Sequence, residues 1–201
     1  MKDPAYLLYK SFADMMKAGP SDELSRFNSR MASLQSRFMK AQLEMKAAET
    51  MYPDANLTLR LTYGQVKGYD PRDAVHFGFQ SNITGIMEKY IPGDPDFDVP
   101  EKLRSLYTLK DFGSYSENGE VPVAFIATNH TTGGNSGSPV INADGELIGT
   151  NFDRVWEGTS SDIQYDISHC RNITLDIRYT LFIIEKLGDA KNIIDELNIS
   201  R

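Results

Sequence analysis

Near Tyr52 the chain changes period. Upstream, from about residue 4 to residue 50, apolar residues recur at helical spacing: Phe27, Met31, Leu34 and Phe38 are separated by four, three and four positions and share one helix face. Downstream, in "YPDANLTLRLTYGQVKGYD", Leu57, Leu59, Leu61 and Tyr63 alternate with Thr58, Arg60 and Thr62, the period of a strand. The reading is therefore an α+β protein, helical over 1–50 and rich in strands over 51–201. Within the helical part "AGPSDE" marks a break, where Gly19-Pro20 ends one helix and Ser21 caps the next with Asp22 or Glu23 in its first turn. This predicts a helical hairpin whose apolar stripe packs on other helices.

In the second part, "VPVAFIATN" reads as a strand and "SPVINADGELIGTNFD" as a hairpin turning at Asp144-Gly145. The three prolines of "IPGDPDFDVPEKL" make a loop, and "PEKLRSLYTL" a short helix with Pro100 in its first turn. The stretch "NITLDIRYTLFIIEKLGDAKNIIDELNI" reads as two carboxy-terminal helical segments separated by Gly188. With 40% of 201 residues hydrophobic, the chain can fill one good-sized core or two small ones. A net charge of −7 and no run of Lys or Arg argue against a nucleic-acid partner. The single cysteine, Cys170, excludes an internal disulfide and a zinc-binding cysteine pair, so no metal or other cofactor is expected. No apolar stretch is long enough for a membrane span and no export signal is read. The helical pattern starts directly after Met1, so the chain is expected to begin inside a larger protein.

Between the two apolar runs lies "GGNSGSPV", residues 133–140. Three glycines around one serine suit a backbone with φ > 0 that turns N–H groups towards one point. Nucleophilic catalysis by serine needs such donors for the oxyanion and a base for the hydroxyl proton. Ser136 is the candidate nucleophile, and the N–H groups of Gly134 and Ser136 are the candidate oxyanion hole. "GNSGSP" resembles the G-D-S-G-G-P of trypsin-like peptidases, although a glycine-rich connection between strands accounts for the same residues. His76, His130 and His169 are the available bases, and none has the position or sequence context of a catalytic histidine.

The tracts "YPDANLTLRLTYGQVKGYDPRDAV", "TGGNSGSPVINADGELIGTNFDRVWEGT" and "CRNITLDIRYTLFIIEKLG" together resemble the carboxy-terminal part of the bacterial S46 serine dipeptidyl-peptidases. The resemblance covers about three quarters of the chain, from Tyr52 onward, and makes the amino-terminal hairpin the end of that family's helical domain. It implies chymotrypsin-like β-barrel elements in a homodimeric periplasmic or cell-surface exopeptidase that releases dipeptides from free peptide amino termini. It also implies that the catalytic histidine and aspartate lie upstream in a missing amino-terminal part, which leaves this chain inactive alone. In the family the residues after the hairpin, here "NFDR", carry substrate choice, and an arginine there marks members that cut after Asp or Glu.

The chemistry of the two residues fits those roles. Asp153 is a carboxylate for the substrate's free ammonium, and Arg154 is a planar fork for an acidic side chain at the penultimate position. Adjacent strand residues face opposite ways, so both reach one substrate only where the backbone bends or leaves the strand. Two other classes remain open: a non-catalytic peptide-binding module of trypsin-like form, and an inactive structural fragment.

Overall fold

In the computed structural model the described residues are 3–18, 21–48, 51 and 57–200, which fall into two compact units, Met1–Leu59 and Arg60–Arg201. The Gly19-Pro20 break, the Ser21 side chain and residues 52–56 of the strand-like stretch lie outside the described residues.

The first unit carries α1 (Pro4–Ala18) and α2 (Ser21–Met45). Helix α1 starts where it does because the Asp3 carboxylate accepts the backbone N–H of Ala5 at 2.8 Å, satisfying a donor that the first turn leaves free. The α2 stripe of Phe27, Met31, Leu34 and Phe38 forms as read, but all four side chains are exposed.

The second unit is an antiparallel sheet with helices on it. Its elements are β1 (Tyr69–Arg72), β2 (Val75–Phe77), β3 (Gln80–Asn82), α3 (Ile83–Glu88), α4 (Glu101–Leu109), β4 (Pro122–Ala127), β5 (Pro139–Ile141), β6 (Leu147–Arg154), β7 (Asn172–Asp176), α5 (Ile177–Phe182) and α6 (Lys191–Asp195). Strands β1 and β2 make a separate hairpin, and the other five pair antiparallel in the order β3-β4-β7-β6-β5. The α+β class holds. One apolar cluster joins the sheet to α3, α4 and α5: Ile83, Leu103, Leu106, Phe112, Val121 and Phe182 are all buried. Phe182 is fully buried and meets the rings of Phe112 and Tyr115 edge-on, with centroids 6.2 and 6.4 Å away.

Two elements differ from the sequence reading. The start of "NITLDIRYTL" is not helix but β7, a central strand between β4 and β6. Its buried face is polar, made by Asn172, Thr174 and Asp176, so the alternation points the opposite way from an ordinary core strand. Partners make that tolerable: Asn172 Nδ2 donates to Asn151 Oδ1 at 2.9 Å, and Asp176 accepts from Arg178. Conversely, the alternating residues from Leu57 to Tyr63 form no strand, and Leu57, Leu59, Leu61 and Tyr63 are all exposed. Contact with the end of β4 is an isolated bridge of Val66 with Ala127, beside which Thr128 N–H donates to the Gln65 carbonyl at 3.0 Å. Alternation supplies a face, but a strand also needs a neighbouring edge with free N–H and C=O groups.

Candidate active site

Strand β4 is separated from β5 by β7 and β6, so the loop between them, residues 128–138, has to cross the ends of both. It is pinned to β6 through Asn151, whose carbonyl accepts Gly137 N–H at 2.8 Å and whose own N–H donates to the Ser138 carbonyl at 2.9 Å. Asn135 locks the tip: its side-chain oxygen accepts Thr132 N–H at 2.9 Å, while its N–H returns to the Thr132 carbonyl at 3.1 Å. Gly134 has φ +102° and Gly137 φ +84°, conformations that favour glycine. The N–H groups of Asn135, Gly137 and Ser138 are thereby used inside the structure. Those of Gly134 and Ser136 meet no acceptor among the described residues. The Ser136 side chain is exposed, and its Oγ donates to the Phe152 carbonyl at 3.3 Å.

That carbonyl belongs to an irregularity in β6. Asn151 pairs with Thr174 but Asp153 pairs with Ile173, so Phe152 is one residue too many for β7 and bulges out. Bulges re-aim the side chains that follow them. The irregularity lies ahead of the Asp153-Arg154 pair rather than within it, and the two residues go on pairing in register with Ile173 and Asn172. The two side chains then diverge. Asp153 is exposed, and its carboxylate accepts the backbone N–H of Arg154 at 2.8 Å. The Arg154 guanidinium is half-buried and ends in the segment after β6. One terminal nitrogen donates to Ser161 Oγ and to Asp162 Oδ1 at 3.0 Å, and the other to Asp162 Oδ2 at 2.8 Å. This charge-assisted fork raises the Arg154 pKa further, while hydrogen bonds from Arg154 and then Thr132 hold the Asp162 carboxyl below its usual range. Neither Ser161 nor Asp162 carries any local sequence signal, because a polar residue in "TSSDIQYD" reads simply as loop.

Beneath this segment lies Arg171, 3% exposed, which donates to the carbonyls of Lys67, Gly68, Ile167 and Cys170 and holds its guanidinium 5.5 Å from the Tyr69 ring centroid. The Tyr69 hydroxyl in turn donates to Glu157 at 2.6 Å. The three histidines are engaged elsewhere. His76 Nδ1 contacts Asp70 at 2.7 Å, and the His130 ring packs on Tyr165 with centroids 4.6 Å apart. His169 Nδ1 faces both Ser168 Oγ at 2.7 Å and Asp166 Oδ2 at 3.4 Å. A catalytic histidine presents opposite ring nitrogens to its serine and its carboxylate, so this cluster is not a relay. Among the described residues no group of three or more His, Cys, Asp or Glu is placed to hold a metal ion.

Comparison with known proteins identifies the family independently of this geometry. Residues 1–199 match the family model described as Peptidase S46, and the chain belongs to that family. It is 53% identical over 197 residues to the Asp/Glu-specific dipeptidyl-peptidase of Flavobacterium psychrophilum, covering 98% of this chain and 28% of the relative. It is 48% identical over 200 residues to dipeptidyl-peptidase 7 of Phocaeicola vulgatus, with the same 98% and 28% coverage. Among solved structures, Porphyromonas endodontalis DPP11 in complex with substrate superposes with a TM-score of 0.88 at 47% identity, over 97% of this chain and 28% of that one. The same protein in complex with the dipeptide Arg-Asp gives 0.82 at 50% identity, over 88% and 26%. The chain therefore spans little more than a quarter of the length of the relatives it matches.

Proposed function

We propose that this chain is the nucleophile-bearing part of a serine dipeptidyl-peptidase that cuts after an acidic penultimate residue. One observation supports the reading: Ser136, whose loop leaves two N–H groups unengaged, donates its hydroxyl to the carbonyl of Phe152, the residue directly before the Asp153-Arg154 pair. Ser136 Oγ attacks the carbonyl of the second substrate residue, and its proton passes to a histidine outside this chain. The carbonyl oxygen, now negative, accepts the N–H groups of Gly134 and Ser136, an arrangement poised before reaction. Collapse expels the remaining peptide as its amine, which takes the proton, and water then releases the dipeptide from the acyl-serine.

Asp153 receives the free ammonium, which limits cleavage to two residues, and Arg154 receives the acidic side chain. Relatives named Asp/Glu-specific dipeptidyl-peptidase are 49–54% identical to the chain and those named dipeptidyl-peptidase 7 are 38–48% identical, and the Arg154 fork supports the acidic preference alongside them. Residues 1–50 as the end of a helical domain, residues 51–201 as the end of a peptidase domain, a homodimer and a periplasmic or cell-surface location belong to the same proposal and rest on family membership. The longest native polypeptide containing this chain should hydrolyse dipeptidyl reporters ending in Asp or Glu faster than one ending in Leu. A serine-directed phosphonate should label Ser136 in it. Binding of acidic dipeptides without labelling or turnover would mean a peptide-binding module instead.

A further inference from the structure

We propose that Asp162 is a built-in stand-in for the substrate's acidic side chain: it occupies the Arg154 fork at rest and leaves it when an Asp- or Glu-containing substrate enters. The inference rests on the assignment of Arg154 given above. The contact has the geometry that a substrate carboxylate would adopt, with both oxygens of Asp162 on the two terminal nitrogens of Arg154, at 3.0 and 2.8 Å.

A guanidinium with a side chain only 24% exposed is poorly hydrated, and leaving it unpaired in an empty subsite is costly. Asp162 removes that cost. Beyond Arg154 it is held by a hydrogen bond from Thr132, but its side chain is 48% exposed and sits among turns rather than in a strand or helix. On one side Ile163 is 92% exposed, while on the other Ser161 is 4% exposed and bonded to Arg154, so an exchange moves the Asp162 side chain and leaves Ser161 on the fork.

The consequence is competition for the fork. An entering carboxylate replaces Asp162 group for group, keeping Arg154 paired throughout. An apolar side chain offers nothing in exchange and meets a fork that is already neutralised. The stand-in therefore lowers the apparent affinity for acidic substrates by the fraction of time that it occupies the fork, without touching apolar ones.

Asp162→Asn and Asp162→Ala in the longest native polypeptide test this, with kcat/KM measured for matched reporters ending in Asp and in Leu. Removing the competitor should raise kcat/KM for the Asp reporter by about 3- to 30-fold, mainly through a lower KM, and leave the Leu reporter within about twofold. Product inhibition by a dipeptide ending in Asp should tighten in parallel, a binding readout independent of turnover. A fall in kcat/KM for the Asp reporter in both variants, or no change in it, overturns the proposal; a fall means that Asp162 merely orients Arg154. Arg154→Gly run alongside separates the two levels. If it leaves the Asp-to-Leu ratio unaltered, the assignment of Arg154 fails; if it collapses the ratio while the Asp162 variants gain nothing, only the stand-in fails.

Discussion

The two ends of the candidate site are made of different materials. Around Ser136 the candidate groups are backbone N–H donors in a loop fixed by glycine conformations and by hydrogen bonds to Asn135 and Asn151. Around Arg154 they are side chains whose partners, Ser161 and Asp162, lie 7 and 8 residues further along the chain. A backbone-built site is rigid and cannot be tuned without changing glycines. A side-chain site can be retuned one residue at a time, which suits a subsite that selects among substrates.

The sharpest way to break this contrast is at the serine itself. Ser136→Ala removes one oxygen from an exposed position and should leave folding and peptide binding intact while lowering kcat by about 10⁶, the usual cost of deleting such a nucleophile. Activity above a tenth of the parent in the longest native polypeptide would take the role away from Ser136. Gly134→Ala attacks the same end through the backbone. An added Cβ meets no atom within 4 Å, so any damage comes from the φ of +102° that an L-residue resists. The displaced N–H should cost about 10²- to 10³-fold in kcat with KM little altered, as loss of one oxyanion donor does. An unchanged kcat would show that this N–H takes no part.

At the other end, Arg154→Gly should lower kcat/KM for Asp and Glu reporters by about 30- to 1,000-fold, the consequence of leaving a carboxylate without its charged partner. The Leu reporter should suffer far less, so the ratio moves further than either rate. Arg154→Lys keeps the charge but loses the planar fork and should restore only part of the acidic preference. Asp153→Ala should reduce activity on every reporter with a free amino terminus, whatever its second residue. If it acts only on acidic reporters, the ammonium role is wrong.

The same contrast governs what the sequence discloses. The serine loop and the β5–β6 turn were readable because glycine and asparagine encode backbone shape locally. Gly145 has φ +82° at the predicted turn, and the Asn142 side chain accepts the N–H groups of Asp144 and Glu146. Strand β7 was not readable, since its buried Asn172, Thr174 and Asp176 depend on partners from β6 and α5 that no local pattern announces. The stretch from Leu57 to Tyr63 differs in the other direction: it has the alternation of a strand but pairs with none of the described strands. Asp162 was invisible for the reason β7 was, being defined by what it touches.

The smallest expected effect concerns the support under the arginine end. Tyr69 is 5% exposed and its hydroxyl reaches Glu157 at 2.6 Å, tying the β1–β2 hairpin to the turn that follows Arg154. Burial, and then this hydrogen bond, push the Tyr69 pKa up, while the same bond holds Glu157 below its usual range. For Glu157 a depressed folded pKa means stability that is present above the unfolded value, about 4.3, and lost as pH falls through the folded one. For Tyr69 a raised folded pKa means stability present below about 10 and lost as pH rises beyond it. Tyr69→Phe should therefore cost about 1 kcal/mol at neutral pH, discounted because Glu157 is partly solvated. That corresponds to about 2–4 °C in Tm for a domain of this size, with the difference from the parent shrinking below pH ~4 and above pH ~10. Thermal melts across pH decide it: a deficit that is constant from acid to alkaline conditions would assign the loss to packing rather than to the hydrogen bond. Because Tyr69 touches neither Ser136 nor Arg154, the Asp-to-Leu ratio should stay that of the parent, and a changed ratio would mean that the support tunes the subsite as well as holding it up.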